Sequence, residues 1–185
     1  MRWLLLNKFF KSGTDEMSFL NLKNKYTRLL CISGLIVISD QVTKALILKK
    51  IPLYRLHGEG ITVIPGFFNI IHVRNQGGAF GFMADQSSVV RNVLFIFVSA
   101  LATALVFYFY KTTPKTKPVL ASGLALIFGG AIGNMIDRLR FGNVVDFLDV
   151  YIGSFHWPTF NIADSAITIG ITIFIFYFIF RDFDD

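Results

Sequence analysis

Val119-Leu120-Ala121-Ser122-Gly123-Leu124-Ala125-Leu126-Ile127-Phe128-Gly129-Gly130-Ala131-Ile132-Gly133-Asn134-Met135-Ile136-Asp137-Arg138 is the stretch on which the fold turns. No charge interrupts it before Asp137, and a helix of about 20 apolar residues is what crosses roughly 30 Å of hydrocarbon. The same reading applies to Thr27–Leu48, Val89–Tyr110 and Ile162–Phe180, which with Val119–Ile136 make four spans. Composition agrees: 16% of the 185 residues are charged, where a soluble domain carries about 25% to wet its surface. Twenty-one phenylalanines suit a surface facing lipid. The expected fold is an all-α integral membrane protein with four transmembrane helices and a small β-containing outer loop.

The net charge of +6 does not point to nucleic acid. A nucleic-acid binder gathers its basic residues into a patch on a soluble surface, whereas here they sit in short segments between apolar blocks, as topology signals do. The single Cys31 excludes an internal disulfide and any multi-cysteine metal site, and its apolar setting gives it a packing role.

Basic residues also set the orientation. Residues 1–28, 111–118 and 181–185 hold ten Lys or Arg in 41 positions, against seven in the 68 positions of 49–91 and 137–161. The denser side is cytoplasmic by the positive-inside rule, which places both termini inside. The chain then divides into a cytoplasmic N-terminal extension (1–26), a four-span body (27–180) with outer loops 49–88 and 137–161, and a cytoplasmic tail (181–185). The basic link Lys111–Pro118 is short enough to make spans two and three antiparallel neighbours. Residues 1–16 are expected to be a dispensable extension or a mis-called start, because Met17 precedes a segment resembling an ordinary cytoplasmic start and no signal-peptide cleavage site follows Leu4-Leu5-Leu6. In the first outer loop, β-branched and aromatic residues flank Pro65-Gly66, which predicts a hairpin over Ile61–Val73 lying on the outer membrane surface.

Ionisable residues at hydrocarbon depth cost roughly 2.5–3.5 kcal/mol each and so carry information. Asp40 and Lys44, four apart on one helical face, read as a structural ion pair rather than as direct chemistry, since a carboxylate held beside an ammonium is a poor proton shuttle. Asn75-Gln76-Gly77-Gly78 could be no more than a tight turn. Gly129 and Gly133 form a small-residue face for close helix packing. Asn134, Asp137 and Arg138 follow at helical spacing, either as an exposed helix cap or beside a polar cavity. Asp146 lies among Val144, Val145 and Phe147. Asp164 opens span four, with Thr168 and Thr172 expected to continue its face into the bundle interior. The orientation set by basic residues brings all these groups, with Asn161, to one membrane face.

Two carboxylates held together cannot both ionise cheaply, so they share a proton and can activate water without a metal or a covalent nucleophile. Zinc-protease and serine-hydrolase motifs are absent from the sequence, and His57, His72 and His156 read as ordinary interfacial residues. A transporter would need polar residues through the whole depth, yet the inner halves of spans two to four are nearly all apolar. A structural subunit whose polar residues merely glue helices together is the other alternative.

Asp40-Gln41-Val42-Thr43-Lys44, Asn75-Gln76-Gly77-Gly78-Ala79-Phe80, Gly129–Arg138, Val144–Phe147 and Phe160–Asp164, in that order on four spans, resemble the motifs of the lipoprotein signal peptidases (signal peptidase II) over roughly residues 25–180. The resemblance implies an aspartic endopeptidase with Asp146 and Asp164 as catalytic dyad and no cofactor or metal. It implies substrate-binding roles for Asn75, Gly77, Asn134, Arg138 and Asn161, and structural support from Asp40, Lys44 and Asp137. Its substrate would be a diacylglyceryl-modified prolipoprotein, cut before the lipidated cysteine. It implies inhibition by globomycin, membrane lipid as the surroundings, a monomeric state and a site toward the outer face of the bacterial inner membrane.

Overall fold

The computed structural model describes residues 24–54, 60–77 and 87–180. Helix α1 (Lys25–Lys50) starts where the Asn24 side chain accepts the Tyr26 amide and stops at Ile51, whose backbone is pushed to extended geometry by Pro52. Helix α2 (Ser88–Thr112) ends in the same way, with an extended Thr113 ahead of Pro114. Helix α3 (Pro118–Phe141) has Pro118 in its first turn, where a missing amide costs nothing. It closes on Gly142 at φ +71°, a left-handed cap that glycine adopts freely. Helix α4 (Ile162–Ile179) begins at a reciprocal cap between Asn161 and Asp164. All four are long and apolar enough to cross a membrane.

These helices match the four predicted spans closely, except that α3 runs on from Ile136 to Phe141. Asp137 and Arg138 are therefore helical, and the connection to α4 starts at Gly142. A span ends, for sequence reading, at its first charges; a helix ends where its backbone can be capped. Helix α3 is the central one, packed against α1, α2 and α4. A Cβ added at Gly129 would lie 2.8 Å from the Ser33 backbone of α1, and one at Gly130 would clash with the Ala163 carbonyl of α4. At the opposite end of the bundle, buried Lys25 donates from Nζ to the carbonyls of Lys111 and Thr113, while the Tyr110 hydroxyl donates to the Lys25 carbonyl. Leu29, Leu120, Leu124 and Ala125 pack around that tie.

The hairpin expected around Pro65-Gly66 is present as strands β1 (Ile61–Ile64) and β2 (Phe68–Asn75). Sequence reading did not foresee that the connection between α3 and α4 supplies strands β3 (Val144–Ile152) and β4 (Phe155–His156) to the same sheet, in the antiparallel order β1-β2-β3-β4. Pairing runs from Phe68↔Val150 to Asn75↔Val144, with the register shifting between Ile70 and Val73. The sheet is anchored beneath by Ile47, Ile51, Val145 and Phe147. Two further expectations are corrected. Thr168 and Thr172 face outward and return their hydroxyls to the carbonyls four residues earlier, Asp164 and Thr168; the buried stripe of α4 is Ala163, Ala166 and Gly170. His72 is buried rather than interfacial: its Nδ1 donates to the Ile51 carbonyl at 3.0 Å, and burial pushes its pKa down, which keeps it neutral. The expectations for residues 1–16, for the 181–185 tail and for His57 and Gly78 fall outside the described residues.

Candidate active site

At the end of the bundle that carries the sheet, two carboxylates from separate elements come within electrostatic reach of each other. Asp146 lies on β3, and Asp164 in the first turn of α4. Asp146 is 1% exposed and takes one donor on each oxygen, from Asn75 Nδ2 at 2.9 Å and Asn161 Nδ2 at 2.7 Å. Asp164 likewise takes Asn134 Nδ2 at 2.7 Å and the Asn161 amide at 3.2 Å. Asn161 therefore spans the pair: its Nδ2 serves Asp146 while its Oδ1 accepts the Asp164 amide at 2.9 Å. Burial, reinforced by the Asp164 charge, raises the Asp146 pKa to about 6 against the opposing pull of hydrogen bonds from Asn75 and Asn161.

Asn75 can present its Nδ2 to Asp146 because its Oδ1 is already engaged by the Gly77 amide at 2.8 Å. That turn needs φ +88° at Gly77, where a Cβ would also strike the Phe95 ring. Glycine is the residue that accepts such a conformation without strain. Half-buried Arg138 brings a positive charge to bear on Asp164, Asp146 and Asp137.

Beneath the pair lies a second layer of polar side chains. Lys44, 2% exposed, donates to Asp40 at 2.8 Å, Asp137 at 2.9 Å and Asn134 Oδ1 at 3.0 Å. The expected Asp40–Lys44 pair is thus one edge of a triad. Asp40 Oδ1 accepts the amide of Ala163, and Asp137 Oδ2 that of Val145, at 3.1 and 3.0 Å. Each of these residues immediately precedes one of the two site aspartates, so Lys44 links the backbone under Asp164 to the backbone under Asp146. Sequence reading missed the part played by Gln41, whose Nε2 bridges Asp40, Asp137 and the Gly133 carbonyl at 3.0–3.2 Å. The signal was there: Gln41 is a polar residue at hydrocarbon depth beside Asp40. Among the described residues no His, Cys, Asp and Glu side chains cluster in a way that could hold a metal ion.

Four helices long and apolar enough to span a membrane, with two hydrogen-bonded carboxylates at one end, one buried and one half-buried, suit a polytopic membrane hydrolase. The family model described as Signal peptidase (SPase) II matches residues 32–180. A lipoprotein signal peptidase of Desulforapulum autotrophicum is 51% identical over 158 residues, covering 85% of this chain and 95% of its own length. One from Syntrophus aciditrophicus is 44% identical over 142 residues, 77% of this chain and 86% of its own. A bacterial membrane enzyme solved by the in meso method at 2.3 Å superposes with a TM-score of 0.72 at 33% identity, over 84% of this chain and 89% of that one. The chain belongs to the signal peptidase II family and is a multi-pass membrane peptidase.

Proposed function

We propose that this protein removes the signal peptide from diacylglyceryl-modified prolipoproteins, cutting before the lipidated cysteine, with Asp146 and Asp164 as a proton-sharing dyad. The observation that carries the reading is the placement of these two carboxylates, from β3 and α4, in one hydrogen-bonded network joined by buried Asn161. Each carboxylate has two donors bound to it, and its remaining lone pairs are available for a shared proton and a water molecule. A raised Asp146 pKa is what a dyad holding one proton near neutral pH requires.

In this mechanism the ionised carboxylate takes a proton from water as the water oxygen attacks the scissile carbonyl carbon. The protonated carboxylic acid gives its proton to the carbonyl oxygen, forming a gem-diol. Collapse of the diol breaks the C–N bond: the carboxyl that took up the water proton protonates the leaving nitrogen, and the other carboxylate takes a hydroxyl proton of the diol, so the dyad again holds one proton. Asn75, Asn134 and Asn161 fix the carboxyl planes, which lowers the reorganisation needed during the reaction. Arg138 offsets negative charge and, with Gly77, contacts the substrate backbone. Asp40, Lys44, Asp137 and Gln41 hold the backbone under the dyad.

The substrate fits the depth of the site. A signal-peptide helix and a diacylglyceryl anchor both stay in the membrane, and the bond between them lies near its surface. The outer end of the spans is where the dyad would meet it. Both termini then lie in the cytoplasm, the protein acts as a monomer in the bacterial inner membrane, and globomycin competes for the same cleft. Purified protein should convert diacylglyceryl-modified prolipoprotein to a product whose new N-terminus, read by mass spectrometry, is the lipidated cysteine. Globomycin should block the conversion. Equal cleavage of unlipidated precursor, or cleavage at another bond, would overturn the substrate assignment.

A further inference from the structure

The two hairpin turns of the sheet lie side by side: the Tyr151 amide donates to the Phe67 carbonyl at 2.9 Å, and the Gly66 amide to the Tyr151 hydroxyl at 3.1 Å. Turns on a water-facing surface are commonly polar. These two are not. No Asp, Glu, Lys or Arg occurs from Ile61 to Val73 or from Val150 to Phe160. The side chains they leave uncovered are Ile64, Phe67, Ile152, Phe155 and Trp157, the last three exposed by 72%, 67% and 60%. Within this end of the sheet the nearby carboxylate, Asp149, is buried and held by Asn69 Nδ2 and by His156 Nδ1, which donates to it. The described chain leaves the sheet at Gly60 and Gly77, away from these turns.

We infer that the paired turns are a membrane anchor, with Ile64, Phe67, Ile152, Phe155 and Trp157 inserted into the headgroup–acyl boundary of the leaflet next to the sheet. An uncharged tip built of Trp, Phe and Ile with Gly, Pro and Ser between them has the composition of an interfacial segment. Strand β3 follows α3 and strand β4 precedes α4, which ties the sheet to the ends of two helices long enough to span a membrane. Five exposed large apolar side chains at one spot are more than a soluble surface normally carries together. Inserted in this way, the sheet is fixed at a set height, and Asp146 on β3 is held at a set depth relative to the lipid. The inference needs the membrane-spanning character of the helices but not the peptidase mechanism.

The chain has two tryptophans, Trp3 and Trp157, so Trp3→Phe leaves Trp157 as the single reporter. This variant is reconstituted in phosphatidylcholine–phosphatidylglycerol vesicles whose acyl chains carry bromines at either the 6,7 or the 11,12 positions. The expected result is blue-shifted emission, quenched at least twofold by the shallow bromines and less by the deep ones. Phe155→Trp in a Trp3→Phe/Trp157→Phe background should behave alike, which separates tip insertion from a local accident at one site. Water-like emission quenched by aqueous acrylamide and not by bromine would overturn the inference. So would shielding from both quenchers, which would place a protein or a second copy of the chain on the tip. Cleavage enters neither measurement, so loss of the peptidase assignment would leave this result standing, and the reverse.

Discussion

Replacing Asp146 with Asn should change the pH dependence of stability in a direction fixed by its burial. The carboxyl ordinarily titrates near 3.8 and in the folded protein near 6. Between those values the folded state binds more protons than the unfolded one, so wild-type stability falls as pH rises through this window. A shift of about 2 units corresponds to about 3 kcal/mol, and at 1% exposure solvent screening does little to reduce it. Asn cannot ionise and escapes this penalty. It does lose something, because Asn75 and Asn161 both donate to Asp146. One of the two would face an amide NH2, at a cost of about 1–2 kcal/mol. Asp146→Asn should therefore be slightly less stable than wild type at pH 4 and more stable at pH 7.5. The difference between the two should move by about 3 kcal/mol, or roughly 6–12 °C in Tm for a chain of this size. Paired thermal unfolding of both proteins in the same detergent across pH 4–8 measures it. A difference curve that stays flat would mean that Asp146 ionises as readily as an exposed carboxylate, and the reasoning from burial would fail.

Lys44→Met should cost about 3–5 kcal/mol, since it leaves Asp40 and Asp137 buried without their common cation; a variant within 1 °C of the wild-type Tm would show that the triad does not hold the bundle. Gly130→Ala should cost about 1–3 kcal/mol through overpacking against the Ala163 carbonyl. It should also slow cleavage, because α4 must shift under Asp164. Gly34→Ala, where an added methyl meets nothing within 4 Å, is the matched control and should leave both Tm and rate unchanged.

What was legible in the sequence is what the bilayer makes legible. Hydrocarbon thickness dictates span length, so four apolar blocks declared four helices. The cost of charged and polar groups at depth singled out Asp40, Lys44, Asn134, Asp137, Arg138 and Asp164, all of which the structure gathers at one end of the bundle. Asp40 and Lys44 could be paired from spacing alone because a helix fixes which residues face each other. Strand β3 was not legible: Val144–Ile152 carries Asp146 and Asp149 among its apolar residues, and its partner β2 lies some 70 residues earlier, beyond any local pattern. The outward turn of Thr168 and Thr172 was hidden for a related reason. Helical periodicity places them on the face of Asp164, but the direction of that face is set by the close approach of Ala163 to Gly130. Nor could spacing show that Asp40 and Asp137 grip the amides beneath Asp164 and Asp146, because those contacts join parts of the chain that only the fold brings together.

The most direct test compares cleavage of diacylglyceryl-modified prolipoprotein by wild type, Asp146→Asn and Asp164→Asn, each shown to unfold cooperatively under the assay conditions. Sharing a proton between two carboxylates requires both, so each substitution alone should lower turnover by about 10²–10⁴-fold. A near-wild-type rate from either variant would contradict the account.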